Sequence, residues 1–276
     1  MNFLISGTNG DIGCSVSELI LLNYPNCKIF GCDSNKPIKF NKKIHYFKFP
    51  RVTDTQYQSF LKKKLEELKI NLFIPTIHEE IIFLSKSNKI NKDKILINNF
   101  DLIEIFSKKI TSISWLKNNS FPTLKTKFIS EANNNDLPVV IKPNIGSGSK
   151  NIYFCKNKKL LDALKFQLPN DFISQEMLDE NLEEFTVPLI KINKHYNFCS
   201  IKRTLFGGIS NKIEVVQNNH IKKFIEQLVL KLPDFCFINL QLKIKNKTVY
   251  VFEINPRISS TIHMRHALGF KDLCEL

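Results

Sequence analysis

Apolar runs that alternate with amphipathic stretches predict a parallel α/β domain in the first hundred residues. Residues 2–6 predict a buried strand, and residues 14–24 carry apolar side chains at helical spacing. The run at 28–32 predicts a second strand that ends at Asp33. Further strands are predicted at 44–49, 72–76 and 94–98, with helices at 55–69 and after His78 as far as Lys86. This order indicates a doubly wound sheet.

The pattern changes to short strands and hairpins in the second half of the chain. Residues 101–119 predict one helix, which the sequence Phe121-Pro122-Thr123 ends. Strands are then predicted at 126–129, 138–143, 152–155, 172–178, 183–187, 196–205, 235–245 and 247–255, with helices at 160–166 and 218–232. We therefore expect an α+β domain to follow the α/β domain.

The last hairpin carries the most informative chemistry. Glu253 and Asn255 lie two residues apart on a strand, so they share one face, and Arg257 follows Pro256. Carboxylate and amide oxygens suit a hard divalent cation, and an arginine suits phosphate. A three-residue loop at 245–247 would bring Gln241 to this face, whereas a two-residue loop would turn Gln241 away. The alternative is an edge strand with a solvated polar end.

Two glycine-rich turns are candidate phosphate sites. The loop from Gly146 to Lys150 joins two predicted strands and follows Lys142, which lies inside the apolar run Val-Val-Ile-Lys-Pro. An ammonium at such a place needs a partner, although an ordinary exposed hairpin is the alternative. The earlier GxxGxxG of residues 7–13 could hold a dinucleotide with Asp33 on a ribose, or could serve only as a tight turn.

The end of the predicted strand 72–76 is another candidate site. Open α/β sheets bind ligands beyond the carboxyl ends of their strands, where His78 and Glu80 follow. The alternative is that Thr76 or Glu79 caps and charges the next helix.

Composition narrows the choice of partners. The 276 residues carry a net charge of +14, but the lysines are scattered and no basic tract stands out, so an anionic small substrate is favoured over nucleic acid. No apolar run reaches the roughly 20 residues of a membrane span, and Met1 to Ile5 reads as a strand rather than a signal peptide. Seven cysteines without a CxxC motif indicate neither disulfides nor zinc, and the cytoplasm is the expected compartment.

Taken in order, these parts resemble the ATP-grasp superfamily, in particular the carboxylate–amine ligases related to the large chain of carbamoyl phosphate synthetase. The resemblance rests on Lys109 with 121–123, on 139–143 with the Gly/Ser loop, on 175–178 with 184–187, and on 239–241 with Glu253-Ile254-Asn255-Pro256-Arg257. It implies a pre-ATP-grasp domain at 1–106 and an ATP-grasp domain at 107–276, with a small lid subdomain at about 124–178.

The resemblance also implies the roles of individual residues. Lys109 and Lys142 would bind the phosphates of ATP, although Lys108 competes with Lys109 for this role. The remaining nucleotide contacts would come from the closing loop with Gly146, Ser147, Gly148 and Ser149, from the adenine hinge Glu176, Met177 and Leu178, and from Glu184 on the ribose. Gln241, Glu253 and Asn255 would hold Mg²⁺, with Mn²⁺ as the alternative ion, and Arg257 with Lys202 or Arg203 would steady the transferred phosphoryl group.

The implied reaction is the ATP-dependent joining of a carboxylate to an amine through an acyl phosphate. Its partners would be these small molecules, without nucleic acid or membrane, and a homodimer is left open. Two alternatives remain: an NAD(P)-dependent reductase or epimerase built on the GxxGxxG, and a non-catalytic nucleotide-binding protein. Of the six tyrosines, only Tyr24 has a lysine four residues later, at Lys28, which is the Tyr-x-x-x-Lys spacing that the first alternative would need.

Overall fold

The computed structural model describes residues 1–146, 151–206 and 209–270, and it describes only the backbone of 204–206 and 209–212. The chain divides into two units, residues 1–103 with those from 257 onward, and residues 104–256. The domain bounds predicted above differ from this division in the segment after Pro256. The predicted loop residues Ser147, Gly148 and Ser149 lie outside the described part of the chain.

A four-stranded parallel sheet forms the centre of the first unit. The elements of this sheet and its helices are β1 (Asn2–Ser6), α1 (Asp11–Asn23), β2 (Lys28–Asp33), β3 (Ile44–Lys48), α2 (Tyr57–Glu67), β4 (Leu72–Ile74) and α3 (His78–Lys86). The strand order β3-β2-β1-β4, with every pair parallel, is that of a doubly wound domain. The strand predicted at 94–98 is wrong, since only a single bridge at Ile95 to Phe73 forms there.

The glycine turn after β1 is explained by packing. Gly7 has a φ of +64°, which favours glycine, and its carbonyl oxygen accepts a hydrogen bond from the backbone N–H of Gly10 at 2.9 Å. A Cβ atom at Gly13 would lie 2.4 Å from that same carbonyl oxygen. Glycine at position 13 therefore lets α1 begin close against the end of β1.

The second unit begins with a helix that is broken. The helix predicted over 101–119 forms as α4 (Phe100–Phe106), which crosses the division between the units, and α5 (Lys109–Asn118). Lys108 between them has extended backbone, with φ −117° and ψ 132°. The break places Lys109 at the first turn of α5.

Two antiparallel sheets make up the rest of this unit. The smaller has the order β5-β8-β6-β7, and the larger has the order β12-β11-β9-β13-β14 with β10 also paired to β9. The elements of the smaller sheet are β5 (Thr126–Phe128), β6 (Val139–Pro143), β7 (Tyr153–Cys155), α6 (Lys158–Gln167) and β8 (Phe172–Glu176). Those of the larger sheet are β9 (Glu184–Ile192), β10 (His195–Phe198), β11 (Ile201–Phe206), β12 (Ile209–Val215), α7 (Asn219–Val229), β13 (Phe235–Lys245) and β14 (Thr248–Asn255).

The larger sheet corrects two predicted elements. The strand predicted at 196–205 is divided into β10 and β11, and β12 was not predicted. The predicted amphipathic helix near 218–232 forms as α7, whose apolar side chains at Ile221, Ile225 and Leu228 are buried. The last helix, α8 (Ile262–Ala267), belongs to the first unit. Among the described residues, no helix is long and apolar enough to span a membrane.

A buried carboxyl group lies at the carboxyl end of the parallel sheet in the first unit. Glu80, on α3, accepts hydrogen bonds from the hydroxyl groups of Ser6 and Tyr57 and is 3% exposed. Burial raises the pKa of Glu80 to about 7, a shift that the two hydrogen bonds oppose and the nearby charge of Asp33 assists. The structure therefore gives Glu80 protein partners, and its predicted contact with substrate stays a prediction.

The Glu80 carboxyl group is expected to make stability depend on pH. Its pKa is about 7 in the folded chain and about 4.5 when unfolded, so the folded state holds the proton more tightly. Stability should therefore fall as pH rises from about 4.5 to above 7, by up to about 3 kcal/mol. Glu80→Gln should remove this part of the slope in urea unfolding followed by circular dichroism. Tyr57→Phe, which keeps the carboxyl group, should retain the slope, and equal slopes in wild type and Glu80→Gln would contradict the expectation.

Candidate active site

The hairpin of β13 and β14 turns through two residues. Lys245 lies opposite Thr248, and Asn246 and Lys247 both have positive φ values of 50° and 65°, as a type I′ turn requires. Of the two loop lengths left open by the sequence, the structure has the two-residue loop. By itself, this turn would place Gln241 on the opposite face from the one predicted.

A β-bulge in the same hairpin restores the predicted face. The register shifts between Gln241 and Leu242, so that Gln241 lies opposite Glu253 and Phe252 is the extra residue. Gln241, Glu253 and Asn255 consequently share one face of the sheet. The structure brings the three predicted metal ligands together, through a different register from the one predicted.

Amide groups complete this face. Asn239 lies opposite Asn255, and its Oδ1 accepts a hydrogen bond from Thr186 Oγ1 at 2.9 Å. The Nδ2 of Asn255 donates to Glu253 Oε1 at 2.9 Å, which leaves the Asn255 oxygen on the other side of the amide. Asn255 therefore turns its amide nitrogen towards the Glu253 carboxylate, while both side chains contain oxygen, the donor type that hard cations prefer.

Lys109 lies against this carboxylate. Its Nζ is 3.7 Å from Glu253 Oε2 and donates to the carbonyl oxygen of Gly146 at 3.1 Å, and the residue is 8% exposed. Lys108, by contrast, directs its Nζ to Glu104 Oε1 at 3.6 Å with 39% of its side chain exposed. Of the two candidate lysines, the structure thus brings Lys109 to the carboxylate.

Asn144 holds the start of α5 beside the loop that follows β6, and the sequence did not single it out. Its carbonyl oxygen accepts from the backbone N–H of Lys109, and its Oδ1 accepts from that of Ile110, both at 3.0 Å. These bonds satisfy two of the N–H groups that the first turn of a helix leaves without intrahelical partners. The only sequence signal was an asparagine directly after Lys142-Pro143.

Lys142 is buried beside the bulge. Its Nζ donates to the carbonyl oxygen of Phe252 at 3.2 Å and lies 5.3 Å from the centre of the Phe252 ring. Burial lowers the pKa of Lys142 to about 8, with Lys109 acting in the same direction and Glu253 and Glu184 opposing it. The ammonium group therefore has only partial compensation for its burial.

Arg203 and Lys202 make different contacts. Arg203 donates from Nε, at 2.9 Å, and from Nη2 to Oε1 of Glu184, whereas Lys202 pairs with Glu183 at the surface. Consecutive residues of a strand point to opposite faces, so these two cations cannot serve one site together. The structure places Arg203 on the face of Glu184 and Lys202 on the other.

The predicted adenine hinge follows β8. The backbone N–H of Glu176 donates to Lys125 O at 2.8 Å, and that of Met177 donates to Pro138 O at 3.2 Å. Leu178 is 8% exposed. These two N–H groups are thus already engaged within the protein.

Arg257 belongs to the first unit, where its Nη1 donates to the carbonyl oxygen of Ile258 at 2.9 Å. Its predicted role at a phosphoryl group stays a prediction. Thr76 does not cap α3, because its hydroxyl group donates to Ser6 O and Ile77 is the N-cap residue. Glu79 does lie in the first turn of α3, as the alternative reading expected.

Asp33 is occupied within the glycine turn. Its Oδ2 accepts from the backbone N–H of Asn9 at 3.2 Å, and its Oδ1 accepts from that of Asn35 at 3.0 Å. Both carboxylate oxygens therefore brace the backbone. This geometry favours the tight-turn interpretation of the GxxGxxG over a ribose contact.

Comparisons with known proteins place these features in a family. A family model of the ATP-grasp domain matches residues 106–261, which is more than half of the chain. The uncharacterized protein MG011 homolog of Mycoplasma pneumoniae is 28% identical over 129 residues, which are 46% of this chain and 43% of that protein. The uncharacterized protein MG011 of Mycoplasma genitalium is 26% identical over 38% of this chain and 36% of that protein. The matched segments thus span less than half of these curated relatives.

Solved structures share the fold. An L-amino acid ligase from Bacillus licheniformis matches with a TM-score of 0.73 and 15% identity, over 95% of this chain and 68% of that one. N5-carboxyaminoimidazole ribonucleotide synthetase from Thermus thermophilus matches with a TM-score of 0.72 and 13% identity, over 98% of this chain and 78% of that one. A third match is the biotin carboxylase domain of a 2-oxoglutarate carboxylase from Hydrogenobacter thermophilus, solved in complex with MgADP, ADP and bicarbonate. Its TM-score is 0.70 and its identity 14%, over 94% of this chain and 64% of that one.

Lys142 is expected to reduce stability. Its ammonium group is charged at pH 7 but has a pKa lowered to about 8 by burial, so the folded state disfavours the charge that the unfolded chain tolerates. This cost is present below pH 8 and disappears as pH rises towards about 10.5. Lys142→Met should raise the free energy of unfolding at pH 7 by about 1–3 kcal/mol.

The measurement is urea unfolding at pH 7, with Lys159→Met on the exposed side of α6 as the matched control. That control should change stability by no more than about 0.5 kcal/mol. Clear destabilisation by Lys142→Met would contradict the prediction, because it would mean that the contacts of the ammonium group outweigh the cost of its burial.

Proposed function

The chain belongs to the ATP-grasp family, and on that basis we propose that it is an ATP-dependent ligase that joins a carboxylate to an amine. The observation that carries the proposal is the convergence of Lys109, Lys142 and Glu253, two buried ammonium groups beside a carboxylate that shares its face with two amides. The site has the means to neutralise phosphate charge, and such a reaction needs no nucleophile from the protein.

In this proposal the two lysines bind the phosphates of ATP. Lys142 lies in the strand before the Gly/Ser loop, and Lys109 contacts the first residue of that loop, so both are proposed to reach phosphates bound next to Gly146. The substrate carboxylate attacks the γ-phosphate, the β–γ bridging oxygen leaves with ADP, and the amine then displaces phosphate from the acyl phosphate. The protein supplies position, charge neutralisation and exclusion of water.

The residues fit one hard divalent cation. Glu253 offers a carboxylate, and Asn255 and Gln241 offer amide oxygens on the same face. When bound there, Mg²⁺ would neutralise phosphate oxygens and polarise the γ-phosphate. These three side chains carry a single negative charge, that of Glu253, and the Lys109 ammonium group lies 3.7 Å from it. Because this charge is too small to hold a divalent cation tightly, we propose that the cation arrives with the nucleotide, whose phosphates add negative charge. Mn²⁺ is a suitable substitute.

The rest of the nucleotide is assigned by position. Glu184 is proposed to bind the ribose hydroxyl groups, and the segment Glu176 to Leu178 to border the adenine. Because the N–H groups of Glu176 and Met177 are engaged, adenine contacts there are proposed for the carbonyl oxygens and for Leu178. Arg257 is retained as a candidate for the phosphoryl group, and Lys202 is left out because it pairs with Glu183 at the surface.

The proposed carboxylate and amine substrates are small metabolites, and we propose amino acids as the first class to test. The solved structure of an L-amino acid ligase matches nearly the whole chain, at an identity that shows only the fold. The cytoplasm stays the proposed compartment. The reductase or epimerase alternative is not favoured by Asp33, because its carboxylate oxygens accept hydrogen bonds from backbone N–H groups within and after the glycine turn.

Activity is tested by ADP release with Mg·ATP and pairs of amino acids and amines. Release should require both substrates and Mg²⁺, and Glu253→Gln should lower it by at least about a hundredfold, because the only carboxylate among the three proposed metal ligands is lost. Glu183→Gln, which removes an exposed carboxylate one residue before β9, is the matched control and should keep full activity. Binding of Mg·ATP without release on any pair would favour the non-catalytic alternative, and absence of binding would refute the proposal.

The dependence of metal binding on nucleotide is tested separately with Mn²⁺ and electron paramagnetic resonance. Mn²⁺ alone should bind weakly, and ATP should tighten its binding, because phosphates supply the missing charge. Gln241→Glu should strengthen nucleotide-free binding by about tenfold or more, through the added carboxylate opposite Glu253. Strong binding of Mn²⁺ to the wild type without nucleotide would contradict the proposed order.

A further inference from the structure

Arg203 and Glu184 form an ion pair on the same face of the larger sheet as the proposed site. They lie opposite each other on β11 and β9, and their side chains are 12% and 22% exposed. Both guanidinium donors, Nε and Nη2, go to the same carboxylate oxygen, Oε1. The arginine therefore holds one edge of the carboxylate and directs Oε2 to the other side.

The strand register places this pair on the same face as the proposed metal ligands. Glu184 precedes Thr186 by two residues, Thr186 lies opposite Gln241, and Gln241 lies opposite Glu253. Two strand spacings, about 10 Å, separate β9 from β14, and two residues along the strand add about 7 Å in the perpendicular direction, so Glu184 and Glu253 start from backbone positions about 12 Å apart. An extended nucleotide can span this distance, with its ribose at one end and its last phosphate at the other.

Charge explains why a carboxylate at this place needs a partner. Glu184 alone would repel the phosphates that Lys109 and Lys142 attract. A guanidinium group neutralises it while leaving one oxygen as an acceptor, and its planar fork fixes the plane of the carboxylate more firmly than an ammonium group would. An arginine with two donors committed to Glu184 is also poorly placed to follow a phosphoryl group in transfer.

We propose that Arg203 is a positioning residue that orients the Glu184 carboxylate so that Oε2 accepts hydrogen bonds from the ribose hydroxyl groups of the nucleotide. This assignment replaces the catalytic role predicted for Arg203 from the sequence. It rests on the proposed nucleotide site, but it concerns binding and requires no knowledge of the carboxylate or the amine.

The test compares the affinity of the full chain for MgADP and for Mg·2′,3′-dideoxy-ADP by isothermal titration calorimetry. The wild type should prefer ADP by at least about tenfold, as expected for hydrogen bonds to a charged acceptor. Arg203→Met should weaken ADP binding and reduce this preference to about threefold or less, as Glu184→Gln should also do. The double variant should lose no more preference than either single variant, because the two residues act as one unit.

Two further variants distinguish orientation from general damage. Arg203→Lys keeps the charge but not the planar fork, so it should keep the fold and show an intermediate preference for ADP. Lys127→Met, in β5, removes the cation of another partly exposed ion pair, which Lys127 forms with Asp136, and should leave the preference unchanged. Circular dichroism confirms that each variant is folded.

The possible failures are distinguishable. A wild type that prefers ADP, with the preference unchanged in Arg203→Met and Arg203→Lys, would overturn the positioning role alone. Loss of ADP release in those variants with unchanged preference would return Arg203 to a catalytic role. A wild-type chain that binds neither nucleotide would overturn the proposed function and this inference with it.

Discussion

One extra residue in β14 decides which side chains form the candidate site. A two-residue turn between β13 and β14 would by itself place Gln241 across from Phe252, on the face away from Glu253. Since side chains alternate with a period of two, the single-residue shift at the bulge moves Gln241 back to the face of Glu253. Lys142 donates to the carbonyl oxygen of that same extra residue, so the position of the bulge also fixes one of the two buried ammonium groups.

The sequence predicted the site best where it placed a charged residue among apolar ones, because burying a charge costs free energy unless the charge has partners. The lysine within Val-Val-Ile-Lys-Pro predicts a buried ammonium group that needs a partner, and Lys142 is indeed buried. Strand alternation also predicted that the candidate metal ligands Glu253 and Asn255 share one face, as they do. The α/β order and most strands followed from apolar periodicity alone.

Features that depend on distant residues were not predictable. The bulge adjusts a strand to its neighbours on the sheet and leaves no local signature. The break between α4 and α5 contains neither proline nor glycine, and it is held by Asn144, which accepts hydrogen bonds from the first two residues of α5. The separation of Lys202 from Arg203, by contrast, follows from strand alternation, and the two cations pair with the adjacent carboxylates Glu183 and Glu184 respectively.

Lys109 contacts two groups at once, and a ligand that bound its ammonium group would change both contacts. Its single ammonium group bonds the carbonyl oxygen of Gly146, where the Gly/Ser loop begins, and lies beside the carboxylate of Glu253. An anion that draws this group away withdraws a positive charge from the carboxylate and a donor from the loop in the same movement. The contact to Gly146 and the charge beside Glu253 are therefore energetically coupled, and the coupling passes through one side chain.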